Sequence, residues 1–332
     1  MLQHPQAIIQ QPHWRRQLAQ AIKTPRELLE QLELPSDLVR YETATDFPLR
    51  VPQSFVARMR KGDINDPLLR QVLPLNEEMV TQTGFSLDPV GDLAAVNGPG
   101  VLQKYNGRAL VLASAACGIH CRYCFRRHFP YGELSSRRTQ WSEIAKNIAA
   151  DTSLTEIILS GGDPLSLDDA PLKELLERIG AIPHIKRIRF HSRFPVILPQ
   201  RIDDSFLQTI RTGDTQKVFV IHSNHYNEIC SDVEKALRAL SAQGVKLLNQ
   251  SVLLKGVNDN VDALVTLSER LFECGVTPYY LHMLDKVQGA AHFEVSEAKA
   301  KLLMEEMRRT TSGYLVPRLV REKAGVPYKL PI

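Results

Sequence analysis

No stretch of this 332-residue chain approaches the ~18 consecutive apolar residues of a membrane-spanning helix, which argues against an integral membrane protein. The opening run, MLQHPQAIIQQPHWRR, lacks the basic-then-apolar order of an export signal. Cysteine is sparse, with five residues, and three of them fall at Cys117, Cys121 and Cys124. That crowding is unsuited to a disulfide framework and suited to a metal or cluster, so a reduced, cytoplasmic protein is expected. Charge of one sign is lacking too: 41 Lys plus Arg stand against 37 Asp plus Glu, and no long basic block accompanies the net +4, so direct nucleic-acid binding is not expected. The 18 Gly and 20 Pro are too few for a collagen-like or linker-dominated chain. No internal repeat or low-complexity tract is present. What remains is a mixed alphabet that is 43% apolar, enough for one large domain or two ordinary ones.

Residues 1–95 read as a helical and irregular region. Thr24-Pro25-Arg26-Glu27 is a capping box with proline at the first helical position, and helices are expected over Ser54 to Met59 and from Asp66. Residues 96–295 alternate strand and helix. Strands are predicted at Ala109–Ala113, Glu156–Leu159, Arg187–His191, Lys217–His222, Lys246–Leu253 and Thr277–His282, with helices starting near Trp141, Asp168, Asp203, Asp232 and Val261. Residues 296–332 add a helix and a short C-terminal segment. Six β/α units in a row predict an α/β fold with a parallel sheet, open or curled into a partial barrel. His, Arg, Asp and Cys cluster just after nearly every strand, the end at which such folds bind ligands.

The run Cys117-Gly118-Ile119-His120-Cys121-Arg122-Tyr123-Cys124 has the spacing C-x3-C-x2-C. Three thiolates hold three irons of a 4Fe–4S cube and leave one iron open. An open iron can chelate the amino and carboxylate groups of S-adenosylmethionine, and an electron from the cube then releases a deoxyadenosyl radical. The competing reading is a Cys3His zinc site using His120 or His128, although zinc prefers two separated ligand pairs. Gly161-Gly162-Asp163-Pro164 follows the second strand and lets the backbone approach the S-adenosylmethionine amino group. By itself it is an ordinary tight turn.

On these residues the chain resembles the radical S-adenosylmethionine superfamily, and within it the lysine 2,3-aminomutases. The strings that carry the resemblance include CRYCFRRHFPY (121–131), SGGDPL (160–165), HSRFPVILPQRI (191–202), NQSVLLKGVND (249–259) and PYYLHMLDKVQGAAHF (278–293). The fold so implied is a partial (β/α)6 TIM-like barrel. The activity implied is isomerisation of L-lysine to (R)-β-lysine, an amino migration. The RRHFPY string resembles the short bacterial branch, in which a partner ligase attaches β-lysine to elongation factor P. A low-potential electron donor such as flavodoxin is implied as well.

Residue by residue, the resemblance implies that Lys329 carries pyridoxal 5′-phosphate as a Schiff base. Arg126 would take the substrate carboxylate, and Asp285 and Glu322 the ε-ammonium. Arg108, Gln250 and Lys255 are candidates for the cofactor phosphate. Arg318, Arg321 and Lys323 are expected to favour a neutral Lys329 by like-charge repulsion. The readings that compete with these roles are a frayed terminal lysine, a solvated basic turn and a generic loop aspartate. At the level of the whole protein the rivals are a radical aminomutase for another amino acid such as glutamate, and a zinc-bearing RNA- or ribosome-associated module using the Arg-rich 122–138 segment.

Overall fold

The structure is a computed structural model that describes residues 13–39, 47–134 and 136–332. Most of the opening run read for an export signal lies outside the described residues. Among the described residues nine strands form one sheet in sequential order: β1 (Val101–Tyr105), β2 (Arg108–Ser114), β3 (Glu156–Gly161), β4 (Arg187–Ser192), β5 (Gln216–His222), β6 (Lys246–Val252), β7 (Val276–His282), β8 (Arg318–Arg321) and β9 (Leu330–Pro331). β2 to β8 run parallel, while β1 and β9 pair antiparallel with β2 and β8 at the two edges. The expected partial barrel is therefore present, with a seventh parallel strand and a short antiparallel strand at each end.

The six predicted strands are all there, each within two residues of its expected ends. β1 went unseen although Asn106-Gly107, with Gly107 at φ 74°, is a strong hairpin signal between two apolar runs. β8 and β9 offer only four and two residues, too short for a periodic pattern. The crossover helices Asp204–Ile210 and Val261–Glu273, and Glu297–Thr310 after β7, begin where the sequence expects. Asp203, Asn260 and Ser296 cap them by accepting from the backbone N–H three residues on.

The helix expected from Asp66 is only a single 3-10 turn, Leu69–Gln71. Asp66 Oδ1 caps Leu68 N and Leu69 N at 2.9 and 3.0 Å, and Pro74 stops the turn from growing. The helix expected at Ser54 to Met59 is likewise one turn, Gln53–Val56. Thr24 does cap its helix, Pro25–Gln31, by accepting from Glu27 N.

The parallel strands bury one face against the helices, and on β4 and β6 the other face is only half-buried. Phe190 on β4 stacks on Phe219 on β5 at 4.4 Å, and Phe206 meets Phe219 edge-on at 6.1 Å. Trp14, Leu28, Val51 and Phe55 from the N-terminal region join the same apolar cluster. Trp14 meets Phe194 edge-on at 6.1 Å, so this region packs on the helices beyond β4. No helix among the described residues is long and apolar enough to cross a membrane.

Phe219 is fully buried between two rings, so Phe219→Ala leaves a cavity and is expected to lower unfolding free energy by about 3–5 kcal/mol. Leu302→Ala, at a side chain 61% exposed, is expected to stay within about 0.5 kcal/mol. Urea unfolding of the two variants measures the contrast, and equal stabilities would contradict the assigned core.

Candidate active site

A cavity of about 430 Å³ opens at the carboxyl ends of the strands. Arg108, Cys117, Cys121, Cys124, Arg126, Gly161, Gly162, Asp163, Gln250, Asp285, Glu322 and Lys329 all line it. Residues singled out across more than two hundred positions thus line one cavity. Lys255 does not; it is exposed in the loop after β6.

The cysteine run leaves β2 as an irregular loop fixed from outside. His120 N bonds Arg50 O at 3.0 Å, Arg122 N bonds Gln71 O at 2.9 Å, and Cys124 N closes a turn on Cys121 O at 3.0 Å. Arg122 is fully buried and grips Glu78 through Nε and a terminal nitrogen at 2.8 and 2.5 Å; Arg127 reaches the same carboxylate at 2.8 Å. These cations face inward, which removes them from the phosphate-binding surface of the RNA-module reading. The His120 ring bonds Pro48 O at 2.7 Å and stacks on Phe47. Among the described residues no three His, Cys, Asp or Glu side chains have the geometry of a single-ion site. Burial, then the neighbouring thiols, push Cys117 well up and Cys124 up to about 11. Such thiols ionise only if a cationic centre sits against them.

The Gly161-Gly162 turn after β3 lies against the cysteine loop with no room for side chains. A Cβ on Gly161, at φ 119°, would lie 2.3 Å from Ser114 O, and one on Gly162 2.5 Å from Ala116 O. Asp163 is occupied internally: it accepts from Leu165 N, Ser192 Oγ and Arg193 N at 3.0, 2.8 and 2.7 Å. Burial outweighs these bonds and holds its acid up at about 6.

Across the cavity runs a chain of alternating charges. Arg126 donates to Asp92 at 2.5 Å, Asp92 also takes Lys104 at 2.5 Å, Lys104 reaches Glu322 at 3.2 Å, and Glu322 accepts from Lys329. Asp92 and Lys104 were missed in the sequence because one sits in an unpatterned connection and the other on the unrecognised β1. The cations expected around Lys329 are elsewhere. Arg321 pairs with Glu297 at 3.1 Å, Arg318 and Lys323 are exposed, and the charged partner of Lys329 is a carboxylate.

The acids of this wall differ. Burial would raise Glu322, but Lys329 and Lys104 hold it down at about 2. Burial, reinforced by Glu322, pushes Asp285 up to about 7. Deeper in, the Nε atoms of Arg108 and Arg189 and the Nε2 atoms of His191 and His282 are buried without a partner. Arg108 lies over the Tyr105 ring at 4.7 Å. Unpartnered guanidinium donors on a cavity wall suit a phosphate.

A family model described as a 4Fe-4S single cluster domain matches residues 96–192, which include all three cysteines and the Gly161-Gly162 turn. The chain is 48% identical over 322 residues to the L-lysine 2,3-aminomutase of Escherichia coli (strain K12), covering 96% of this chain and 94% of that one. It is 45% identical over 324 residues to the enzyme of that name from Haemophilus influenzae, covering 97% and 96%. With the Clostridium subterminale enzyme of the same name it shares 31% over 322 residues, covering 96% and 77%.

Cys117→Ala, Cys121→Ala and Cys124→Ala are each expected to abolish iron and sulfide loading, whereas Cys230→Ala and Cys274→Ala, at helix ends away from this wall, are expected to load fully. Iron and sulfide analysis after anaerobic reconstitution decides it. Full loading of any one of the first three variants would contradict the ligand assignment.

Proposed function

The chain belongs to the L-lysine 2,3-aminomutase family, and we propose that the cavity holds L-lysine by its two charged ends while the α-amino group moves to Cβ, giving (R)-β-lysine. The observation that carries this reading is that a buried guanidinium, Arg126, and two carboxylates, Asp285 and Glu322, line the same cavity as the cysteines and Lys329.

Cys117, Cys121 and Cys124 would hold a 4Fe–4S cluster, and the side-chain-free backbone at Gly161 and Gly162 would face S-adenosylmethionine. Lys329 would hold pyridoxal 5′-phosphate, with Arg108 and Gln250 at its phosphate; the orphaned Arg108 donor fits that use. When bound, the cluster with S-adenosylmethionine supplies a radical able to take hydrogen from an unactivated carbon, and pyridoxal phosphate supplies a carbonyl for the migrating nitrogen.

The chain's own residues do the rest. Arg126 grips the substrate carboxylate through the nitrogens that Asp92 leaves free. Once Lys329 is engaged elsewhere, Glu322 keeps Lys104 on one oxygen and frees the other to join Asp285 in taking the ε-ammonium. The two grips hold the carbon chain extended and limit its motion, which is the protein's share of selectivity in a radical reaction. A substrate with a second carboxylate would meet like charge at Asp285 and Glu322, which counts against glutamate. Transfer of β-lysine to elongation factor P by a partner ligase belongs to the same proposal and rests on the RRHFPY resemblance; reduction by a flavodoxin-like donor rests on the family resemblance as a whole. Anaerobic incubation of fully loaded, reduced protein with L-lysine is expected to yield β-lysine on chromatography; absence of product would overturn the reading.

Asp285 supplies a pH signature. An ammonium pairs with the carboxylate and not with the neutral acid, and the acid here sits at about 7. Lysine binding is therefore strongest above that pH and weakens as pH falls through it, by up to about tenfold per unit. Asp285→Asn is expected to raise KM for lysine by about a hundredfold and to flatten this profile. Measurement of KM between pH 6 and 9 in both proteins tests it, and an unchanged profile in Asp285→Asn would assign the titration to another group.

A further inference from the structure

The geometry points to Arg193 as a positioning residue for electron transfer: its buried guanidinium, aimed at Cys121, sets how readily the iron–sulfur centre accepts an electron. This rests on the reading of Cys121 as a cluster ligand. Arg193 follows β4 and its side chain is 7% exposed. One terminal nitrogen donates to Cys121 Sγ at 2.7 Å. The other donates to Gln71 Oε1 at 2.7 Å and Glu228 Oε2 at 3.1 Å. The backbone N of Arg193 is tied to Asp163 at 2.7 Å, which anchors the residue to the glycine turn as well.

The partners are themselves fixed. Glu228 is fully buried and accepts from Gln71 Nε2, Asn224 N and His225 N at 3.0, 2.9 and 3.1 Å. Tyr123, inside the cysteine run, accepts from Asn224 Nδ2 at 2.7 Å and meets His222 at 3.0 Å. The guanidinium therefore has one orientation, and it stays protonated at any working pH. A network of this extent exceeds what holding a loop in place requires, since the backbone bonds at Arg122 and Cys124 already do that.

One electron from an external low-potential reductant adds one negative charge to the cluster and its sulfur ligands. An N–H donor and a cation beside a ligand sulfur stabilise that charge, and they do so strongly where water is excluded. Glu228, on the other side of the guanidinium, opposes the effect from further away. The two residues therefore push the midpoint potential in opposite directions, which a purely structural role would not do.

The test is an anaerobic redox titration of the reconstituted protein, read by electron paramagnetic resonance of the reduced centre, once iron and sulfide analysis shows equal loading. Arg193→Gln is expected to shift the midpoint to more negative values and Glu228→Gln to less negative values. No shift, or shifts of the same sign, in fully loaded variants would overturn the assignment. If the single variants fail to accumulate, Arg193→Gln/Glu228→Gln removes both charges and the N–H···S bond; its midpoint is expected below wild type, and an unchanged midpoint overturns the proposal. A wild-type protein that takes up no iron and sulfide would instead bring down the reading of the cysteines, and this inference with it.

Discussion

The site depends on the chain of buried and half-buried charges from Arg126 through Asp92, Lys104 and Glu322 to Lys329. Its members come from the connection before β1, from β1, from the cysteine loop, and from the segment between β8 and β9. β1 and β9 are the outermost strands of the sheet and are not bonded to each other. Lys104 on β1 and Glu322 just after β8 therefore bridge the open seam of the barrel with an ion pair where a closed barrel would have backbone hydrogen bonds. Gly91 and Ala324 meet at the same seam, where a Cβ on Gly91 would come within 2.9 Å of the alanine Cβ. Buried charges persist only when paired, and deleting one member of such a pair typically costs about 3–5 kcal/mol. The seam and the site are thus held by the same groups.

This double use explains how the cavity can be both ordered and receptive. With no substrate present, the carboxylate of Asp92 faces Arg126 and the ammonium of Lys329 faces Glu322. Those are the two functional groups that a bound amino acid with a terminal amine would itself present. Lysine adds its carboxylate to Arg126 beside Asp92 and brings its ammonium to the carboxylate that Lys329 leaves, so each charge has a partner. An amino acid without a distal ammonium would leave Asp285 and Glu322 facing each other once Lys329 turns to a cofactor, and like charges at such a site disfavour binding.

Much of this was legible in the sequence, for physical reasons. β3 and β5, buried along most of their length, read as apolar runs, and the helices after β4, β6 and β7 carry their own caps at Asp203, Asn260 and Ser296. Cys117, Cys121 and Cys124 stand out because few chemistries require three thiols in eight residues. Arg126, Asp285, Glu322 and Lys329 were accessible only through the family resemblance; as isolated letters they look like loop charges. Asp92 and Lys104 leave no local pattern: Asp92 sits in an unpatterned connection, and Lys104 meets Glu322 from more than two hundred positions away. The Asn106-Gly107 turn is a readable hairpin signal, and it places Lys104 on a strand. The environment of Lys329 was misjudged because sequence neighbours were taken for spatial ones. Arg318 and Lys323 point to solvent, and the contact that matters comes from Glu322, seven residues back.

The central claim is that recognition is electrostatic at both ends of the substrate. It is tested most directly by calorimetric titration of the cofactor-loaded, unreduced protein with L-lysine and with L-norleucine, which keeps the carboxylate and the carbon chain but lacks the ammonium. A charge-assisted contact in a partly dry site is worth about 2–5 kcal/mol, so norleucine should bind at least about thirtyfold more weakly than lysine. Equal affinities would contradict the account, because Asp285 and Glu322 would then have no part in holding the substrate.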